Sequence, residues 1–205
     1  MKTITISDVN IYIDSQPIGI MMSGGADSTV LFYILMKHAP GPISVFSCGN
    51  GRTNYQEVEG ALRVINRCMQ IFDRRDVSFY GHWENHKLKE NMFNMDLIIK
   101  SGIRLMYSGF TRPPPDGSIK DYDTEAAFVP EGNTEKINEV FHVDGHLYAP
   151  FANINKKKIA ELYKELDIEE LYSYTRSCES LTLIGGHCGK CWWCKERIWA
   201  FGKLE

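Results

Sequence analysis

The chain has 205 residues, of which 43% are hydrophobic and 12% aromatic, enough apolar material for one compact domain or two small ones. A formal net charge of −3 and a pI near 6.1 exclude a general electrostatic attraction to nucleic acid or to anionic membranes. The sequence contains no run of about 20 apolar residues, and Asp8, Asp14 and Gln16 interrupt the N-terminus where a signal peptide is apolar. We therefore expect a cytoplasmic protein with no membrane span and no direct nucleic-acid contact.

Two strand-helix units are predicted in the first third of the chain. The apolar run Ile18 to Met22 precedes a glycine pair and a helical pattern that ends near His38. A second apolar run, Ile43 to Cys48, precedes an amphipathic helical pattern over residues 58 to 69. Alternating strands and helices are typical of an α/β fold with a parallel sheet covered on both faces. At the N-terminus, an edge strand is predicted through Ile4, Ile6 and Ile11.

The second half of the chain continues this alternation and then changes. Strands are predicted at Val77 to Tyr80 and at Ile103 to Tyr107, with a helix over Leu88 to Lys100 between them. Residues 111 to 134 are rich in proline and glycine and far exceed the usual connection of about 4 to 6 residues, so we predict a lid beside the substrate. After the lid, Asn155 is placed to cap a further amphipathic helix.

A loop of glycine and hydroxyl residues joins the first predicted strand to its helix. Glycine lets the backbone approach a phosphate, the helix N-terminus offers unpaired amides, and hydroxyls add donors. A carboxylate at this place indicates a divalent cation beside the phosphates, and we infer ATP with Mg²⁺. The alternative is an ordinary tight turn with Asp27 as the helix N-cap. The predicted phosphate-binding residues are Ser23, Gly24, Gly25, Asp27, Ser28 and Thr29.

A cluster of cysteines near the C-terminus predicts a metal site. Two-residue separations let neighbouring thiolates turn toward one tetrahedral ion, and four thiolates leave no open position, so we expect structural Zn²⁺. An iron-sulfur cluster is the chemical alternative, because it also takes four cysteines. The predicted ligands are Cys178, Cys188, Cys191 and Cys194.

These two motifs carry a family resemblance. The segment SGGADS, from Ser23 to Ser28, is similar to the SGGxDS signature of the PP-loop, or N-type, ATP pyrophosphatases. With the spacing C-x9-C-x2-C-x2-C, the chain resembles the 7-cyano-7-deazaguanine synthases of queuosine biosynthesis. The segments Pro150 to Ile159, Thr175 to Cys178 and Cys188 to Cys194 follow the order found in that family. The resemblance spans nearly the whole chain.

The resemblance implies a doubly wound parallel sheet of the adenine nucleotide alpha hydrolase-like, or HUP, type and an ATP-dependent carbon-nitrogen ligase. Such an enzyme adenylates a carboxylate on 7-carboxy-7-deazaguanine, amidates it with ammonia, and dehydrates the amide to a nitrile. Asp27 and Lys156 are the implied catalytic residues, and Gly109 is implied to lie beside ATP. Lysines at a helix N-terminus oppose the helix dipole, so an anion near Lys156 is expected on physical grounds as well.

The predicted organisation follows from the same resemblance. Residues 1 to 172 form the PP-loop domain, and residues 173 to 205 form the zinc-binding region. A homodimer is implied for the assembly. The chain departs from the family in the lid, where Thr111 to Gly117 reads TRPPPDG and the family's Pro-Asp-Cys-Arg segment is missing. The acceptor that receives AMP therefore stays open.

Two other functions remain open from the sequence. A PP-loop sulfurtransferase or sulfonucleotide reductase needs a reactive cysteine, and only Cys48 and Cys68 lie outside the C-terminal cluster. A non-catalytic nucleotide- and zinc-binding module is the second alternative.

Overall fold

The structure is a computed structural model that describes residues 2–50, 55–84, 102–121, 140–141, 146–178 and 186–205. Within these residues the chain forms a six-stranded central sheet, a separate two-stranded sheet and five helices. The predicted helix over residues 88 to 100 and the second half of the predicted lid lie outside the described residues.

The central sheet is parallel except at one edge. Its strands, in chain order, are β3 (Ile18–Met21), β4 (Ile43–Asn50), β5 (Val77–Glu84), β6 (Leu105–Ser108), β7 (Val140–Phe141) and β8 (Leu147–Tyr148). Their order across the sheet is β5-β4-β3-β6-β8-β7, and only β7 pairs antiparallel to its neighbour. From β3 the chain moves outward to β5 and then returns to place β6 on the other side of β3. Open α/β sheets bind ligands where the strand order reverses in this way, here between β3 and β6.

The helices pack on the sheet and on one another. They are α1 (Ala26–His38), α2 (Tyr55–Phe72), α3 (Lys156–Glu165), α4 (Glu169–Tyr172) and α5 (Trp192–Phe201). Helix α1 is central, because ten of its 13 residues are buried and it contacts both α2 and α3. The predicted α/β fold with a doubly wound parallel sheet is confirmed. None of the described helices combines the length and the apolar character needed to cross a lipid bilayer.

The N-terminal residues differ from the prediction of an edge strand. They form an antiparallel hairpin that is a sheet of its own, made of β1 (Lys2–Ile6) and β2 (Val9–Ile13). Ser7 and Asp8 make the turn in the left-handed region, with φ of 46° and 64°. A two-residue turn of this kind matches the twist of paired strands, so the chain folds back after Ile6. The Tyr107 hydroxyl then ties the hairpin to β6 by donating to the Tyr12 carbonyl at 2.8 Å.

Candidate functional site

The loop between β3 and α1 is shaped by one glycine. Gly24 has a φ of +74°, which is unfavourable for a residue with a side chain. A Cβ at this position would lie 2.6 Å from the Ala61 nitrogen of α2, so the loop packs directly on that helix. Gly24 is therefore required by both the conformation of the loop and its contact with α2.

The N-terminus of α1 has no side-chain cap. Gly25 is the N-cap residue, and within the described residues there is no side-chain capping hydrogen bond. The alternative in which Asp27 caps the helix is therefore wrong. The hydroxyls stay within the loop: the Gly25 amide donates to Ser23 Oγ at 3.2 Å, and Ser28 Oγ donates to the Gly25 carbonyl at 3.2 Å. Uncapped first-turn amides are suited to binding an anion.

The end of β6 lies against this first turn. A Cβ on Gly109 would come within 2.7 Å of the Ser28 nitrogen and 2.8 Å of the Ser28 Cα. Only glycine permits so close an approach of the two backbones. The structure therefore brings Gly109 next to the loop, at the point where the strand order reverses.

Three charged residues meet beside the loop, and we call them the charged trio: Asp27, Lys156 and Glu196. Lys156 Nζ lies 2.5 Å from Glu196 Oε2 and 3.3 Å from Asp27 Oδ2. Lys156 and Glu196 are buried, while the Asp27 side chain is one-fifth exposed. Burial lowers the pKa of Lys156, but the two carboxylates outweigh it and the pKa lies above its ordinary value. Burial raises the pKa of Glu196.

Two adjoining cavities flank the trio, and both are lined by Ser23, Asp27 and Glu57. One, of about 160 Å³, adds the cationic residues Lys156 and Arg176. The other, of about 360 Å³, is more apolar and adds the aromatic rings of Phe46 and Phe110. A polar cationic cavity next to an aromatic one suits a ligand that joins phosphates to a planar ring.

The segment before the first metal-site cysteine closes the cationic cavity. The Arg176 amide donates to the Gly24 carbonyl at 2.9 Å, which fixes this segment on the loop. Behind it, the buried Arg197 guanidinium donates to Thr175 Oγ1 at 2.8 Å and to the Tyr172 carbonyl at 3.3 Å. The C-terminal region thus forms one wall of the cavity.

The four C-terminal cysteines converge as predicted. Their Sγ atoms all lie within 4.8 Å of one another, and Cys188 Sγ is 3.9 Å from Cys194 Sγ. With metal-sulfur bonds of about 2.3 Å, sulfurs around one tetrahedral ion are about 3.8 Å apart. The Cys191 amide donates to Cys188 Sγ, and the Cys188 amide to Cys178 Sγ, both at 3.3 Å. The arrangement is compatible with a metal ion such as zinc.

The electrostatics of the cluster also favour a cation. Hydrogen bonding to Cys178 is the main cause that raises the pKa of Cys191 to about 11, and hydrogen bonds and burial raise the pKa of Cys194 as well. Thiolates crowded at this distance repel one another unless a positive ion lies between them.

Two family models match the sequence. The asparagine synthase family matches residues 11–71, which include the loop, and the queuosine biosynthesis protein QueC family matches residues 119–205, which include Lys156 and the four cysteines. The two matches cover separate parts of the chain, and the part from residue 119 onward is similar to the QueC family. The predicted resemblance is thereby confirmed.

Solved structures give more distant likenesses to this chain. NMN synthetase from Francisella tularensis is 14% identical, with 93% of this chain and 79% of that chain covered and a TM-score of 0.47. The U34-tRNA thiolase NcsA from Methanococcus maripaludis, solved with its 4Fe-4S cluster, is 12% identical, with 76% of this chain covered and a TM-score of 0.44. The chain spans 59% of the length of the thiolase. No curated protein matches the sequence.

Sequence reasoning missed three residues of this site: Arg176, Glu196 and Arg197. The available signal was the pair Glu196-Arg197 within the aromatic helix sequence WWCKERIWAF, where adjacent opposite charges are unexpected in a buried helix. Both side chains are buried, and they contact different neighbours.

Proposed function

We propose that the protein is an ATP-dependent carbon-nitrogen ligase that adenylates a carboxylate with release of pyrophosphate. Its proposed substrate is 7-carboxy-7-deazaguanine or a closely related carboxylate. The main support is the uncapped N-terminus of α1, which faces a cavity that Lys156 and Arg176 also line. The match to the QueC family supports the class of substrate.

The residues around the loop have distinct proposed roles. The α1 amides, with the hydroxyls of Ser23 and Ser28, bind the phosphates, and Lys156 offsets charge that develops on them. Thr29, the third predicted hydroxyl, is fully buried and lines neither cavity, so it has no such role. Asp27 holds Mg²⁺: its Oδ1 atom is buried and has no hydrogen-bond partner within the described ranges. The adenosine occupies the aromatic cavity beside Gly109.

The proposed reaction proceeds by two adenylations. A carboxylate oxygen attacks the α-phosphorus, the bond to the bridging oxygen breaks, and pyrophosphate leaves. Ammonia then attacks the acyl carbon, AMP leaves with the former carboxylate oxygen, and the nitrogen loses a proton to give the amide. A second ATP adenylates the amide oxygen, which leaves as AMP, and loss of the two nitrogen protons gives the nitrile. Cationic groups and amides stabilise the negative charge on both leaving groups.

Zinc is the proposed occupant of the cysteine cluster. Four thiolates around one tetrahedral ion leave no site for a substrate, so the ion stabilises the C-terminal region and takes no part in the reaction. Each thiolate of a four-iron cluster binds a different iron, which separates the sulfurs more than they are here. Elemental analysis of the purified protein should give one zinc ion per chain, and iron would contradict the assignment.

Sulfur transfer is disfavoured by Cys68. Burial raises the pKa of Cys68 to about 12, and its side chain lies in the core with no exposed surface. Such a thiol is neither ionised at neutral pH nor accessible to a substrate. A sulfurtransferase role would then depend on Cys48, whose side chain lies outside what the structure describes.

The experiment is to incubate the protein with ATP and Mg²⁺, with and without 7-carboxy-7-deazaguanine and ammonia. We expect AMP and pyrophosphate only when the carboxylate is present, and a nitrile by mass spectrometry. ADP as the sole nucleotide product would contradict adenylation. Absence of turnover across a panel of carboxylates would support the non-catalytic binding module.

The homodimer and the domain boundary at residue 172 stay predictions.

A further inference from the structure

We propose that Glu196 is a positioning residue that holds the Lys156 ammonium in the phosphate-binding cavity and so links the metal-bearing helix α5 to the ATP loop. The role of Lys156 toward phosphate rests on the proposed function. The position of Lys156 is a property of the protein alone and is tested separately below.

The location of Lys156 makes a second carboxylate necessary. Lys156 is the first residue of α3, where the positive end of the helix dipole disfavours an ammonium. Its four-carbon side chain is flexible and its charge is a compact point, so one partner does not define its position. Asp27 at 3.3 Å lies on one side, and Glu196 at 2.5 Å provides the second fixed point.

The geometry leaves part of Lys156 for a ligand. An ammonium group has three N–H donors, and in the described part of the chain Nζ pairs with two carboxylates. Nζ also lies 5.7 Å from the centre of the Trp193 ring, which lines the same cavity. The remaining donor is therefore free for a phosphate in that cavity.

Packing alone does not account for Glu196. Burying a carboxylate costs free energy, and the Glu196 side chain is only 3% exposed. An apolar side chain would fill the same space without this cost, and Asp27 would still neutralise the charge of Lys156. A buried second carboxylate is explained if its function is to fix the position of the ammonium.

Residues of helix α5 on both sides of Glu196 in the sequence make contacts that hold the helix in place. Its N-cap residue is Cys191 and its first turn contains Cys194, so a metal ion held by the four cysteines would fix the start of the helix. The next residue after Glu196, Arg197, bonds Thr175 Oγ1 in the segment that contacts Gly24. The cysteine cluster, with a metal bound, and the Arg197 contact would together determine where the Glu196 carboxylate lies relative to the loop.

The test compares Glu196→Gln with the matched control Glu161→Gln. Both changes remove one carboxylate from a lysine ion pair, but Glu161 pairs with Lys158 on the exposed side of α3, at 2.8 Å. The first readout is the rate at which acetic anhydride acetylates Lys156, measured by peptide mass spectrometry at one pH. A fall of about one unit in the pKa of the lysine gives about tenfold more free amine. We expect about tenfold faster acetylation of Lys156 in Glu196→Gln and no change in Glu161→Gln.

The second readout is kinetic. Small displacements of a group that contacts the reacting atoms lower the rate by about 10- to 100-fold, so we expect kcat for pyrophosphate release to fall by this factor in Glu196→Gln, with KM for ATP little changed. Glu196→Asp keeps the charge and should partly reverse both the faster acetylation and the fall in kcat, and it replaces Glu196→Gln if that variant does not fold. Unchanged acetylation of Lys156 in a folded variant would overturn the proposal. If the wild-type protein releases no pyrophosphate, the proposed function fails while the acetylation result still decides the role of Glu196.

Discussion

At the scale of single residues, Lys156 connects the charged groups of the site. It separates two carboxylates that belong to α1 and α5, and it is buried together with Glu196, while Asp27 is one-fifth exposed. Removal of one member of such a buried set leaves charges without a partner, and this costs more than the set contributes when intact. A substitution of Lys156 is therefore expected to change both the stability of the protein and its function.

We predict that Lys156→Met lowers the free energy of unfolding by about 3 to 5 kcal/mol and abolishes pyrophosphate release. The loss arises because Asp27 and Glu196 then repel each other in a buried place. Urea unfolding at pH 7 measures the stability. Lys157→Met is the control, because the Lys157 side chain is exposed and its Nζ lies over the Trp199 ring, 4.5 Å from the ring centre, away from the charged trio. Equal losses in the two variants would contradict the prediction.

The sequence predicted the site residues that lie in short continuous motifs. The glycine loop and the cysteines were recognisable because each motif places its groups within a few positions of one another. Glu196 was not predictable in this way, because its partner Lys156 lies on another helix and 40 residues earlier in the chain. Only packing of α5 on α3 brings the two together.

At the scale of elements, the contact between β6 and α1 determines the shape of the site. We predict that Gly109→Ala weakens ATP binding at least about tenfold and lowers stability by about 1 to 3 kcal/mol, since the added methyl overlaps backbone atoms of Ser28 that cannot move aside. Isothermal titration with a non-hydrolysable ATP analogue measures the affinity. Gly186→Ala is the control, because a Cβ there meets nothing within 4 Å. Unchanged affinity in Gly109→Ala would show that β6 does not adjoin the nucleotide.

The elements that the sequence predicted well are those with strong local signals. Helix α3 begins after Asn155 as predicted, and the Asn155 side chain accepts a hydrogen bond from the Lys157 amide. The N-terminal hairpin was missed because its turn, Ser7-Asp8, contains no glycine. Pairing partners across a sheet depend on tertiary contacts, so β1 and β2 carried no local signal for the sheet they join.

At the scale of the whole molecule, stability should fall in alkaline solution. Burial raises the pKa of Cys68 to about 12, whereas an unfolded thiol ionises near its ordinary value of 9.0. Above pH 9 the unfolded chain therefore binds fewer protons than the folded chain, and the free energy of unfolding decreases as pH rises toward 12. The contribution of Cys68 is complete below pH 9.

We predict that Cys68→Ala makes this decrease shallower by about 1.4 kcal/mol per pH unit between about pH 9.5 and 11. Urea unfolding at several pH values gives the slope. Val64→Ala is the matched control, because Val64 is also buried in α2 and its truncation lowers stability without removing a titrating group. The same slope in Cys68→Ala and wild type would show that the thiol ionises while the protein is folded.

The long-range origin of the charged trio has a consequence for synthesis of the protein. Asp27 is synthesised 169 residues before Glu196. At a translation rate of about 5 to 20 residues per second, this is a delay of roughly ten to thirty seconds. Throughout this interval the nascent chain carries a complete glycine loop, but it lacks the Lys156–Glu196 ion pair and the C-terminal wall of the cavity. Strand β3 also lacks its neighbour β6 until residue 105 has been synthesised, because Ile18 pairs with Leu105. Nucleotide can therefore be held in its final position only after Glu196 has been synthesised and packed, and a nascent chain that ends before Glu196 should not retain it.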